Sequence, residues 1–284
     1  MSTTLSDAIG AVLGETPSAI APLSGGSVGE VYRATFPDRE VAVKVDEGPD
    51  PRLNIEAWML EYLHTHSDLP VPKVVHTAPR LLLMEMVPGS STFSSGAEQD
   101  AARHLARLHG ITSPQFGLEQ DTLIGSLHQP NQPMDSWIEF FRDQRLLYMA
   151  QEGVREGKIP LDTMNRIEKL ASRLAEWLQE PDSPSLLHGD IWTTNVLANT
   201  DSITGFIDPA VYYGHPEIEL AFITLFGTFG DTFFEKYQEL RPITDGFFEE
   251  RRDLYNLYPL LVHVRLFGGS YLRSVESTLG RYGC

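Results

Sequence analysis

The sequence predicts an α+β protein of two lobes, a small β-rich amino-terminal lobe followed by a larger, mainly helical one. Two β-rich runs, 31–35 and 41–45, flank Pro37-Asp38, which supplies turn chemistry for a hairpin. A stretch rich in Ser, Gly and Pro, 88–96, reads as a linker. Beyond it, apolar residues recur at spacings of three and four, the period of a helix face. The expected division is therefore 1–87, linker 88–96, and 97–284.

Within the first lobe, Ile55, Trp58, Met59, Tyr62 and Leu63 share a helical face and predict a helix over 55–64. The apolar run 81–86 predicts a strand, broken only by Glu85. In the second lobe a helix is expected over 97–109, with Gly110 placed to end it. Trp137, Phe140, Phe141, Leu147 and Tyr148 form one apolar stripe. Met164, Ile167, Leu170, Leu174, Trp177 and Leu178 form another, and both read as core. An embedded hairpin is expected from 195–198 and 205–207 around Thr200-Asp201-Ser202, with helices again from about residue 217.

Composition narrows the function. The 284 residues carry 22 Lys plus Arg against 39 Asp plus Glu, a net charge of −17. That field repels nucleic acid and anionic membranes and tolerates a cationic acceptor. No apolar run is long enough to span a bilayer, and residues 1–10 lack a basic-then-apolar leader pattern. The single cysteine, Cys284, allows no internal disulfide and no cysteine-rich zinc site, so a cytoplasmic setting is expected.

The chemistry clusters in two places. Gly25-Gly26-Ser27-Val28-Gly29 is a glycine turn leading into Glu30-Val31. Such a turn lets backbone N–H groups approach phosphate oxygens. Ser24 stands at the first glycine position of the kinase loop pattern, with Gly26 and Gly29 at the others. Val41-Ala42-Val43-Lys44 follows, and in kinases this strand holds a lysine against the α- and β-phosphates. That lysine needs an acidic helix partner; Glu56, one turn into the expected helix, is preferred over Glu61. Glu85-Met86, at the end of an apolar strand, occupies the place of an adenine-binding hinge.

The second cluster is the stronger signal. His188-Gly189-Asp190, with Asn195 five residues beyond the aspartate, has the H-x-D-x-x-x-x-N spacing of a kinase catalytic loop. Ile207-Asp208-Pro209-Ala210 follows at the place of a metal-binding aspartate. Phosphoryl transfer requires a base to orient a hydroxyl and relieve it of its proton, which suits Asp190. The triphosphate requires Mg²⁺, a hard ion that prefers oxygen ligands, and Asp208 and Asn195 supply them. His188 is expected to brace the loop. Gly189 replaces the arginine of protein kinases, and no A-P-E motif follows, which favours a small-molecule kinase. Trp192, Tyr213, His215 and His263 are candidate acceptor residues, with packing as the rival role for each. His64 and His66 lack a nearby third ligand and read as a solvated helix end.

The loop 187–195 resembles the H-G-D-x-x-x-x-N block of aminoglycoside phosphotransferases and choline kinases. It is more closely similar to the fructosamine kinase (ketosamine 3-kinase) family. The likeness continues through Ile207-Asp208-Pro209-Ala210-Val211-Tyr212-Tyr213-Gly214-His215, Glu217-Ile218-Glu219-Leu220-Ala221, and Leu266-Phe267-Gly268-Gly269. It implies a protein-kinase-like fold and ATP-dependent phosphorylation of the 3-hydroxyl of a ketosamine, free or protein-bound. The product then eliminates and frees the amine, which amounts to deglycation. Lys44, Glu56, Asp190, Asn195 and Asp208 carry over by motif position. Thr193-Thr194 stand for the family's usual Ser-Gly, and Glu219 for its usual Asp. Another amine or sugar kinase, or a nucleotide-binding pseudokinase, are the alternatives.

Overall fold

Residues 4–23 and 30–284 are described by the computed structural model. The glycine turn lies outside the described residues, and with it the expected phosphate contacts of Gly25, Gly26, Ser27, Val28 and Gly29.

The chain opens with helix α1 (Leu5–Leu13), started by a capping box in which Thr4 and Asp7 exchange hydrogen bonds. Strands β1 (Ala19–Pro22), β2 (Glu30–Thr35) and β3 (Glu40–Val45) lead to α2 (Leu53–His66), then β4 (Val74–Ala78) and β5 (Leu81–Glu85). These strands form one antiparallel sheet in the order β1-β2-β3-β5-β4. Side-chain alternation along β3 decides the site. Val41 and Val43 face α1, with Ile9, Ala34, Phe36 and Leu83. Ala42 faces α2, with Leu53, Ala57, Leu60 and Leu82. Lys44 is two residues on from Ala42 and so points to the α2 side, where it is only 4% exposed.

The expected hairpin, the helix after it and the apolar strand are all present, the helix longer at both ends. Sequence reasoning did not find β1 and β4. Both are edge strands with mostly exposed or half-exposed residues, so neither carries a continuous apolar run.

Helix α3 (Ser95–Leu108) begins two residues earlier than expected because Ser94 accepts the Ala97 N–H and caps it. A short hairpin of β6 (Thr122–Ile124) and β7 (Leu127–Gln129) follows. Then come α4 (Trp137–Phe140), a π-helical segment Phe141–Leu147, α5 (Tyr148–Arg155) and α6 (Leu161–Ala171). The apolar stripe expected to run through Trp177 leaves the α-helix at Ala171; Leu174 sits in a 3₁₀ turn and stays buried.

Strand β8 (Ser185–Leu187) leads into the catalytic-type loop, and β9 (Val196–Asn199) with β10 (Ser202–Phe206) forms the expected hairpin. Strand β11 (Tyr212–Gly214) pairs antiparallel with β8. The loops following β8 and preceding β11 therefore lie side by side. Helices α7 (Pro216–Leu225), α8 (Asp231–Leu240), α9 (Arg252–Tyr255), α10 (Leu257–Phe267) and α11 (Ser270–Arg281) complete the chain. Among the described residues, no helix is long and apolar enough to cross a membrane.

Candidate active site

Lys44 Nζ donates to Glu56 Oε1 at 2.6 Å and to Asp208 Oδ1 at 2.5 Å. Strand β3, helix α2 and the loop before β11 thus meet at one ammonium. Burial alone would lower the lysine's pKa. Asp208 and then Glu56 outweigh it and hold the ammonium protonated, above its ordinary range. Burial raises the Glu56 carboxyl, which Lys44 opposes.

Asp190 lies in the same cavity as Lys44, Glu56 and Asp208, a space of about 60 Å³. Asn195 Nδ2 donates to the Asp190 carboxylate at 2.9 Å and to its backbone carbonyl at 3.1 Å. One side chain thereby fixes both the loop and the carboxylate. Desolvation, and then the charge of Asp208, push the Asp190 pKa well above its ordinary value, while Asn195 resists. A carboxylate whose pKa is raised toward neutrality is a better proton acceptor from a hydroxyl.

The loop that carries Asp190 is held from below. The Gly189 N–H donates to Glu219 Oε1 at 2.5 Å. Glu219 Oε2 bonds His109 Nε2 at 2.8 Å, and His109 Nδ1 bonds the Tyr237 hydroxyl at 2.7 Å. Burial pushes the Glu219 carboxyl up, but the hydrogen bonds from His109 and the Gly189 N–H help bring it below its ordinary value. His188 is buried and neutral, its pKa pushed down to about 4 by desolvation, and its Nδ1 accepts the Asp190 N–H at 3.3 Å. The expected bracing role of His188 corresponds to that bond.

Gly189 has a packing reason to be glycine. Its φ is +88°, and a Cβ there would lie 2.1 Å from the Ala210 carbonyl oxygen. The Ala210 N–H in turn donates to the His188 carbonyl at 2.7 Å. An arginine cannot stand at 189 against that carbonyl.

Of the four candidate acceptor residues, the structure brings two together. The Trp192 ring lies 6.3 Å from His263 and 5.7 Å from Phe226, and Tyr271 is 4.9 Å from His263. His263 Nδ1 bonds the Pro259 carbonyl at 2.7 Å and must carry the proton there, which leaves Nε2 an acceptor. Burial lowers its pKa and keeps the ring neutral. The other two are turned elsewhere. The Tyr213 hydroxyl meets Tyr62 at 3.4 Å. His215 caps α7 by accepting the Glu217 N–H, in a separate cavity lined also by Arg241 and Arg251. Strand β11 runs away from Asp190, which carries both residues off with it. Glu85 is exposed at the end of β5, 3.9 Å from Lys73, and Met86 packs on the α2 side of the sheet.

Sequence reasoning missed Leu123, Gly125 and Ser126, which bring the β6–β7 turn into the cavity of Asp190. A partial signal was present: Gly-Ser directly after the short apolar run Leu123-Ile124 is the central pair of a two-residue hairpin turn. It also missed Phe226 and Tyr271, whose helical spacing is indistinguishable from core packing.

A family model described as fructosamine kinase matches residues 1–282. The probable ketoamine kinase of Vibrio parahaemolyticus is 32% identical over 269 residues, 91% of this chain and 90% of that one. The chloroplastic protein-ribulosamine 3-kinase of Arabidopsis thaliana is 34% identical over 238 residues, 80% and 71% of the two chains. A crystal structure from Thermobifida fusca that bears a fructosamine-3-kinase name superposes with a TM-score of 0.87 at 30% identity, covering 99% and 98%. An aminoglycoside phosphotransferase bound to AMP-PNP and hygromycin B shares the fold at 16% identity, with a TM-score of 0.68 over 98% and 96%.

Proposed function

The chain belongs to the fructosamine kinase family, and from that premise we propose that it transfers the γ-phosphoryl group of ATP to the 3-hydroxyl of a ketosamine. The observation that supports this most directly is Asp190 held by Asn195 in one cavity with the Lys44–Glu56–Asp208 cluster. The acceptor is a fructosamine or ribulosamine adduct of an amine, and the names of the relatives favour that class.

Asp190 orients the acceptor hydroxyl and takes its proton as the oxygen attacks phosphorus. Lys44 contacts the nucleotide phosphates and is itself aimed by Glu56. The glycine pattern of residues 25–29 suits backbone binding of the phosphates, and the segment at Glu85-Met86 offers backbone groups to adenine. Trp192 and His263 line the acceptor side; the indole gives an apolar face to the sugar and His263 Nε2 accepts one of its hydroxyls.

Mg²⁺ fits the donors present. Asp208 offers a carboxylate, and the Asn195 Oδ1 receives only a long 3.4 Å contact from Thr194. These are hard oxygen ligands, and among the described residues no cluster of three His, Cys, Asp or Glu competes as a softer or all-protein site. When bound with the nucleotide, Mg²⁺ neutralises charge on the phosphate oxygens. Asp208 and Asn195 would hold it. A cytoplasmic location belongs to the same proposal, and the free thiol of Cys284 is compatible with it.

The test is ATP turnover with magnesium on ribulose- and fructose-modified lysine, with unmodified lysine, choline and an aminoglycoside as comparisons. Turnover confined to the ketosamines is expected. Turnover of an aminoglycoside or choline but no ketosamine overturns the substrate class, and turnover of none moves the reading to a kinase of another amine or sugar, or to a nucleotide-binding pseudokinase.

A further inference from the structure

Arg145 is fully buried in the π-helical segment and has no carboxylate partner among the described residues. A guanidinium stays charged in such a place, and a buried charge is costly unless aromatic faces and hydrogen bonds satisfy it. Its carbon lies 3.9 Å from the Tyr212 ring centroid, 4.6 Å from Phe140 and 5.6 Å from Tyr258. Nη1 donates to the Pro130 carbonyl at 2.6 Å, and Nη2 to Asn131 Oδ1 at 2.7 Å.

That last bond fixes the Asn131 amide, in a direction that agrees with every bond behind it. Arginine can only donate, so Asn131 must turn its oxygen to Arg145 and its Nδ2 to Thr122 Oγ1, 2.8 Å away. Gln129 Nε2 also donates to Thr122 Oγ1, at 2.8 Å. With both lone pairs taken, the threonine hydroxyl donates its own proton to the Val211 carbonyl at 3.2 Å. Gln129 Nε2 gives its second proton to the Ala210 carbonyl at 3.0 Å, while Gln129 Oε1 accepts the Tyr258 hydroxyl at 2.5 Å. A donor-only cation at one end thus ends as two oriented donors on consecutive carbonyls.

Those carbonyls belong to the segment that must be held most firmly. Asp208 has a φ of +55°, a left-handed conformation for a residue that also precedes proline. Ala210 joins this segment to the loop of Asp190 through its N–H bond to the His188 carbonyl. We propose that Arg145 and Gln129 are positioning residues for phosphoryl transfer: through this directed network they lock Ala210, and so fix Asp208 relative to Asp190. Neither touches the reacting atoms. The inference rests on the roles given above to Asp190 and Asp208.

The test uses Gln129→Met, of similar shape without donors, and Arg145→Met with Arg145→Lys as the conservative rescue. Two readouts are taken on the folded protein: kcat with KM for the acceptor, and amide hydrogen exchange without nucleotide. We expect kcat to fall by up to about 100-fold in Gln129→Met, with acceptor KM little changed. Exchange at Ala210, Val211 and residues 188–190 should accelerate while α3 and α10 keep their protection. Arg145→Lys should recover part of both. If Arg145→Met does not fold, Gln129→Met and the milder Tyr258→Phe carry the test. Wild-type kcat with unchanged local exchange overturns the proposal. So does uniform loss of protection, which marks a stability role alone. The exchange readout is independent of turnover, so a wrong substrate class leaves it decisive.

Discussion

The ammonium of Lys44 bonds the carboxylate of Asp208, 164 positions later in the chain, at 2.5 Å, and Glu56 closes the same group at 2.6 Å. Side-chain exposures of 5%, 12% and 19% make this a buried three-way contact. Removing the cation leaves two carboxylates facing each other in low dielectric. Lys44→Met should therefore lose about 3 kcal/mol of stability and raise the half-saturating ATP concentration. Unfolding midpoints in urea and nucleotide titration check both. A variant matching wild type in each would show that this ion pair carries neither role.

Asp190→Asn keeps the shape and the contact to Asn195 but cannot take a proton. Turnover should drop about 10²- to 10⁴-fold, the usual contribution of a positioned base, while ATP binding persists. Turnover near wild type would refute the assignment of the base.

At Gly189 the loop of Asp190 packs directly against the Ala210 backbone. Gly189→Ala forces a side chain into a φ of +88° and places Cβ 2.1 Å from the Ala210 carbonyl oxygen, which is itself held by the Gln129 amide at 3.0 Å. A loss of about 3 kcal/mol is expected, measured by denaturant unfolding. A Gly189→Ala protein as stable as the parent would mean the loops are not packed as described.

Much of this site was legible because its chemistry is written in fixed local spacings. Asp190 and Asn195 stand five residues apart on one loop, and Asp208 follows after a hairpin whose turn residues mark it. The alternation that aims Lys44 at α2 is a property of any strand. What was not legible depends on tertiary approach. Tyr213 and His215 sit beside the motif in sequence, but β11 must run antiparallel to β8, and that carries them away from Asp190. Glu219 resembled a family position without an evident task until α7 packed it beneath Gly189. Arg145 had no signal, since an arginine inside an apolar stripe reads as a solvated side chain until a cage of aromatic rings closes over it.

Glu219 and His109 form a buried pair that is hydrogen-bonded to the loop of Asp190 through the Gly189 N–H. Glu219→Gln keeps one oxygen for Gly189 but presents an amide to His109 Nε2. The expected result is a several-fold fall in kcat with ATP half-saturation unchanged, because the loop of Asp190 loosens while the Lys44 cluster is untouched. Equal losses in kcat and nucleotide affinity would assign Glu219 a global role instead.

His215 makes stability depend on pH in a defined direction. Burial first, and then the charges of Arg251 and Arg241, push its pKa down to about 3. Unfolded, it titrates near its ordinary value of about 6.5. Between these values the unfolded chain binds a proton that the folded chain refuses. The contribution is therefore complete above about pH 6.5 and is lost as pH falls toward 3. At pH 5 the lost share is about 2 kcal/mol. His188 acts in the same sense, and Asp190, raised rather than lowered, acts against it, so the wild-type profile alone mixes all three. The informative comparison is His215→Asn, which still caps α7 but does not titrate. Its unfolding free energy should decline less than wild type's from pH 7 to 5. Parallel profiles would mean that His215 takes up its proton in the folded protein as readily as in the unfolded chain.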